Sequence, residues 1–215
     1  SREFTLRAEG RSSQEVAGMN GGILSTVDAV RSASESEIIA TAKLLAHSAL
    51  SFGTTTIEIK SGYGLSTAEE LKLLRAAKAL SEVIPLTTSI TYLGAHAVPR
   101  EMNREQYVEL IVNEQLPAVA AAKIAESCDV FMDEGYFSAE DTRRICLRAK
   151  ELGFQIKLHA DELANTAAAE LAVQLGALSA DHLLQVSPAG IAALAASDHT
   201  VATLLPMTAL SIREP

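Results

Sequence analysis

Three of the chain's five histidines stand at the ends of short apolar runs, beside small or acidic residues. One run leads into Leu158-His159-Ala160-Asp161-Glu162, a second into Ala180-Asp181-His182, and a third into Leu93-Gly94-Ala95-His96. Neutral imidazole is the commonest metal ligand. Glu162 follows His159 closely enough for both side chains to converge on one solvent molecule. Such a gathering suits a hydrolase or lyase, in which water is activated and protons are moved. With His96 and His182 on neighbouring runs, His159 is expected to be a ligand rather than a histidine bonded to a loop carbonyl. His47 and His199 precede their runs instead of following them and are assigned structural places.

These residues need elements to hold them. Apolar runs of β type alternate with helical stretches, which predicts strands over Thr54–Ile59, Thr88–Leu93, Cys128–Met132, Phe154–His159, Ala177–Asp181 and Thr200–Leu205. Helices are expected over Ser66–Val83, Glu105–Glu126, Ser138–Leu152, Ala164–Leu175 and Ser187–Ala196. Ser66 with Glu69 reads as a capping box and Ser138 with Asp141 as a weaker one. Gly153 and Gly176 sit where helices would end in a left-handed residue, and Pro188 falls at a first helical position. The first fifty residues read as a long excursion with a loop at Asn20-Gly21-Gly22, then a helix from about Ser34. No phosphate-binding motif follows those glycines.

Strand–helix alternation with short connections means a parallel sheet. An open sheet covered on both sides would want two apolar faces. Here Phe154, Ile156 and Leu158 alternate with Gln155, Lys157 and His159, and Ile57 and Ile59 with Glu58 and Lys60. One polar face fits a (β/α)8 TIM barrel, whose active site lies at the C-terminal ends of its strands. Six strands are found where eight are needed, so the expectation is an incomplete barrel lacking its first and last strands, with residues 1–215 forming one catalytic portion and no second domain.

Composition narrows the partners. A net charge of -9 disfavours nucleic acid and anionic membranes. No stretch reaches the ~20 apolar residues of a membrane helix. Cys128 and Cys146 have no CxxC spacing and are expected to be reduced and buried, as in a cytoplasmic protein.

Five segments, KSGYGL (Lys60–Leu65), YLGAHAVP (Tyr92–Pro99), KLHADE (Lys157–Glu162), LGALSADHL (Leu175–Leu183) and TLLP (Thr203–Pro206), together resemble the imidazolonepropionases of the amidohydrolase superfamily. The resemblance runs essentially from Ser1 to Pro215. It implies a metal-centred barrel that hydrolyses 4-imidazolone-5-propanoate to N-formimidoyl-L-glutamate in histidine degradation. It also implies one divalent ion, zinc or iron, with His159 as a ligand and the other ligands upstream of Ser1 and downstream of Pro215, so that the isolated chain would be inactive. Glu162 carries over as acid/base and His182 as polar partner of the reacting carbonyl. Arg2, Tyr63 and His96 carry over as substrate contacts, Arg2 matching a propanoate with its fork of donors. Two positions depart from the pattern: Met207 stands where the family commonly has a small residue, and Asn20 replaces a glycine. The implied partner is a small molecule carrying a carboxylate, and a homodimer is allowed. Two rival readings are an aminoacylase-like enzyme or deaminase of the same superfamily, and a metal-free barrel remnant acting as a binding module.

Overall fold

The computed structural model describes residues 5, 9–10 and 23–212. Six parallel strands pair in sequential order, each with its chain neighbours. They are β1 (Thr56–Lys60), β2 (Thr87–Ala95), β3 (Ser127–Met132), β4 (Gln155–Ala160), β5 (Ser179–His182) and β6 (Val201–Thr203). The helices are α1 (Ile23–Ser32), α2 (Glu35–Ser51), α3 (Thr67–Ser81), α4 (Arg104–Leu110), α5 (Leu116–Ala122), α6 (Ala139–Glu151), α7 (Ala168–Gln174), α8 (Pro188–Ala195) and α9 (Pro206–Ile212).

The sheet is rolled, and its side chains prove it. Lys60 on β1 reaches Asp181 on β5 at 2.9 Å, and Lys157 on β4 reaches Glu58 on β1 at 2.8 Å. In a flat sheet β1 and β5 would stand four spacings apart, about 19 Å at ~4.8 Å each, beyond any lysine. The polar parity seen in the sequence therefore lines the concave side. The other face packs against the helices, where Ile156, Leu158, Val130, Cys128 and Ala180 are buried with Leu74, Ile111, Ile145 and Leu171. Burying one such large apolar side chain is worth about 1.5–3 kcal/mol, which is what holds the two layers together.

Most start and stop signals act as expected. Gly153 and Gly176 adopt positive φ, and Ser187 caps α8 with Pro188 at its first turn. The two boxes are reversed in strength. Ser138 and Asp141 form the full reciprocal pair, whereas Ser66 receives Glu69 N–H while the Glu69 carboxylate turns to Lys72. Full boxes also close at Ser34 with Glu37, starting α2 as expected, and at Asn103 with Gln106.

Three stretches depart most from the sequence expectation, besides the unexpected helix α9. Ile23–Ser32, within the expected excursion, is helical, because Val27 buries itself and Ile23 and Leu24 pack on the main core. Lys72 Nζ then donates to the carbonyls of Val30, Arg31 and Ala33 at its C-terminal end. The helix expected over Glu105–Glu126 passes through a π-type turn at Ile111–Gln115. Pro117, which has no N–H to continue the α ladder, follows directly. Finally, α7 starts at Ala168 rather than Ala164, since the N–H groups ahead of it are claimed by buried aspartates. Asn20-Gly21-Gly22 lie outside the described residues.

Candidate active site

The C-terminal rim of β1 to β5 gathers the side chains that the sequence singled out. Tyr63 and His96 meet edge to face with ring centres 5.0 Å apart, His96 lies 5.7 Å from His159, and His159 lies 5.1 Å from His182. Phe131 fills the space beside His96 and His159. Glu162 Oε1 comes within 3.4 Å of His182 Nδ1. Ala160 and His182 are register partners on adjacent strands, so the two histidines are one strand spacing apart. Arg2 lies outside the described residues. His47 and His199 are exposed.

The rim loops after β1 and β4 are each fixed by a buried carboxylate. After β1, Glu70 of α3 accepts from Gly62 N at 2.9 Å and from Gly64 and Leu65 N at 2.8 Å each, which holds the loop carrying Tyr63. Gly62 has φ of +103°, and a Cβ there would meet Leu93 O at 2.8 Å, so no other residue fits. Its carbonyl accepts from His96 Nδ1 at 3.2 Å. A carbonyl cannot donate, so the His96 proton is on Nδ1 and its Nε2 is an acceptor. A register shift between Tyr92 and Ala95, with the Tyr107 hydroxyl donating to Gly94 O at 2.8 Å, sets the end of β2 just before His96.

After β4 the anchor is Asp133. Its Oδ2 accepts from Glu162 N at 2.9 Å and Leu163 N at 2.8 Å, and its Oδ1 from Ala164 N at 3.1 Å and Glu134 N at 2.7 Å. Asp161, the carboxylate next to Glu162 in the sequence, is fully buried. It accepts from Thr166, Ala168 and Ala169 N–H at 2.8–3.2 Å. Its oxygens are occupied in starting α7.

Burial and charge set the electrostatics. Burial raises the Glu162 carboxyl above the usual carboxylate range, Asp133 adds to this, and His159 pulls the other way. His96 and His182 are each pushed down to about 4, chiefly by burial and then by His159. At neutral pH both are uncharged. For His159 burial disfavours the cation, but Asp129 beside it outweighs this and the imidazole is raised. Asp129 itself is held ionised below the usual range: burial opposes its charge, and His159 and Lys60 overcome that. The thiols of Cys128 and Cys146 are free, buried and pushed up by burial, which leaves them inert.

None of Asp129, Lys60, Asp181 and Asp133 was assigned a role from the sequence. The available signal was parity, since Lys60, Asp129 and Asp181 interrupt apolar runs on the face that His159 occupies.

The chemistry of the donor set bears on a metal. His159 Nδ1 donates to Asp129 Oδ1 at 3.1 Å, leaving Nε2 as the coordinating nitrogen, the arrangement of a metal-binding histidine with a carboxylate behind it. His159 thus fits one ligand's place. Among the described residues no cluster of three or more His, Cys, Asp or Glu side chains forms that could hold a metal ion. No helix of the described residues is long and apolar enough to cross a membrane.

Rolled parallel strands with helices on the convex side form half of a (β/α)8-type barrel, and its C-terminal rim carries histidines with a carboxylate. In fold it matches the crystal structure of adenine deaminase from Arthrobacter aurescens with a TM-score of 0.64 at 15% identity, over 84% of this chain and 55% of that one. In sequence the chain resembles imidazolonepropionase over nearly its whole length, as its motifs imply. It is 47% identical to the imidazolonepropionase of Clostridium tetani over 99% of this chain and 51% of the relative. For that of Symbiobacterium thermophilum the figures are 49%, 98% and 50%. The chain thus spans about half the length of the curated relatives it matches. No family model matches it.

Proposed function

We propose that this chain supplies the substrate-facing half of a barrel that hydrolyses 4-imidazolone-5-propanoate to N-formimidoyl-L-glutamate, a step of histidine degradation in the cytoplasm. The observation that carries the reading is the convergence of Tyr63, His96, His159, Glu162 and His182 on one rim in a chain so similar to imidazolonepropionases.

His159 would hold a divalent ion, zinc or iron, through Nε2. Such an ion supplies a water of lowered pKa and polarises the carbonyl under attack. Glu162 takes a proton from the attacking water and returns one to the departing ring nitrogen; burial raises its carboxyl above the usual carboxylate range, which favours both transfers. His182, neutral and beside Glu162, is the polar partner of the reacting carbonyl. Tyr63 and His96 contact the ring, and Arg2 pairs with the propanoate through its fork of donors.

The test is ring opening by the full-length protein. Glu162→Gln keeps size and hydrogen bonding but cannot take the proton, and is expected to lose about 10²–10⁴-fold in kcat with metal content unchanged. Full activity in that variant would remove Glu162 from the mechanism. Loss of metal in step with activity would make it a residue that orients His159.

A further inference from the structure

Beneath His159 the concave face carries a charged layer that the proposed reaction does not use. Asp129 is fully buried and gives one oxygen to each of two donors: Oδ1 faces His159 Nδ1 at 3.1 Å and Oδ2 faces Lys60 Nζ at 2.6 Å. Lys60 is held in turn by Asp181 Oδ2 at 2.9 Å, with Glu58 Oε2 at 3.6 Å. Glu58 also receives Lys157 at 2.8 Å. The polarity of this chain of bonds runs one way. Lysine has only donors and an ionised carboxylate only acceptors, so His159 must carry its proton on Nδ1.

We propose that Lys60 and Asp129 are positioning residues that fix the tautomer of His159 and keep its Nε2 free to coordinate. The inference rests on the reading of His159 as a ligand. Asp129 works through His159, and Lys60 works through Asp129. Lys60 does more than balance charge, as an amide at position 129 makes plain. With Lys60 present, the amide must turn its oxygen toward the ammonium, because its NH2 there would oppose donor to donor. The NH2 then faces His159 Nδ1. The imidazole can answer only by moving its proton to Nε2, and that proton occupies the lone pair a metal needs. Without Lys60 the amide is free to turn its oxygen back to Nδ1.

The experiment uses the full-length protein, first metal-free, with ¹⁵N spectra of the histidine side chains recorded at alkaline pH where imidazoles are neutral. Zinc titration of the same samples follows. Wild type is expected to show His159 with its proton on Nδ1. Asp129→Asn should move it to Nε2 and weaken zinc about 10- to 100-fold. Adding Lys60→Met to Asp129→Asn should return the proton to Nδ1 and recover most of the affinity. An Nε2 proton in wild type overturns the proposal outright, and that measurement needs no variant to fold. An unchanged tautomer and affinity in Asp129→Asn overturns it as well. Absence of recovery in the double variant removes Lys60 from it. Failure of the functional reading looks different: wild type would bind no zinc and open no imidazolone ring, while the metal-free tautomers would still report on the pair.

Discussion

The two rim loops that carry the candidate site are held by the same chemistry with different reach. After β1, Glu70 binds three N–H groups five to eight residues away, so one strand–loop–helix unit closes on itself. After β4, Asp133 comes from the end of β3 and binds N–H groups 29 to 31 residues on, so it ties two units together. The first loop presents Tyr63, a substrate contact in the proposed reaction; the second presents Glu162, the proton carrier. A group that moves protons demands a closer fix than one that touches substrate. The longer-range anchor is found under the more demanding residue.

Substituting each anchor by its amide puts the comparison at risk. Asp133→Asn replaces one of two oxygens that each receive two N–H groups, so two donors, at most one of them fully buried, lose their acceptor. At roughly 1–3 kcal/mol for a buried donor left unpaired, and less for one that water reaches, the variant should lose about 2 kcal/mol or more in denaturant unfolding. Its kcat should fall at least about tenfold as Glu162 drifts. Glu70→Gln can keep its oxygen on Gly64 and Leu65 and forfeit only Gly62, a loss of roughly 1–3 kcal/mol. Its effect should appear in KM, through Tyr63, with kcat little changed. If both variants moved kcat and KM alike, the two anchors would not differ in what they serve.

A smaller effect separates the histidines on the rim. His96, pushed down to about 4, stays neutral in the fold while the unfolded chain takes up a proton near pH 6.5. Its contribution is fully present above about pH 6.5 and is lost as pH falls toward 4, on the order of 3 kcal/mol at most. His159 is raised and works in the opposite direction. Denaturant midpoints measured between pH 7 and 4 should fall, and His96→Gln should flatten that fall. An equally steep fall in the variant would assign the loss to other groups.

Much of the fold is legible in the sequence because periodicity separates strands from helices, and one polar face along the strands already implies a rolled sheet. The rim histidines and Glu162 were legible because each follows an apolar run. The rest depended on register. Nothing in Cys128–Met132 announces that Asp129 meets a lysine from β1, since that contact exists only once β1, β3 and β5 curve toward one another. Asp161 and Glu162 are adjacent carboxylates, and only the hydrogen bonds at the start of α7 assign Asp161 to structure. The π-type turn had a signal in Pro117 that helical periodicity outweighed. Arg2 lies beyond the described residues.

The charged layer on the concave face also bears on how the chain avoids misfolding. If β4 slid by one residue against β3, Lys157 and His159 would turn into the helix layer, and Ile156 and Leu158 would turn toward the charges of β1 and β3. A buried ammonium without its carboxylate costs several kcal/mol, enough to empty such a mispaired state. The side chains under the site thus act as a key for strand pairing during assembly. Replacing them with apolar residues of equal volume would leave more than one sheet within reach of the same sequence.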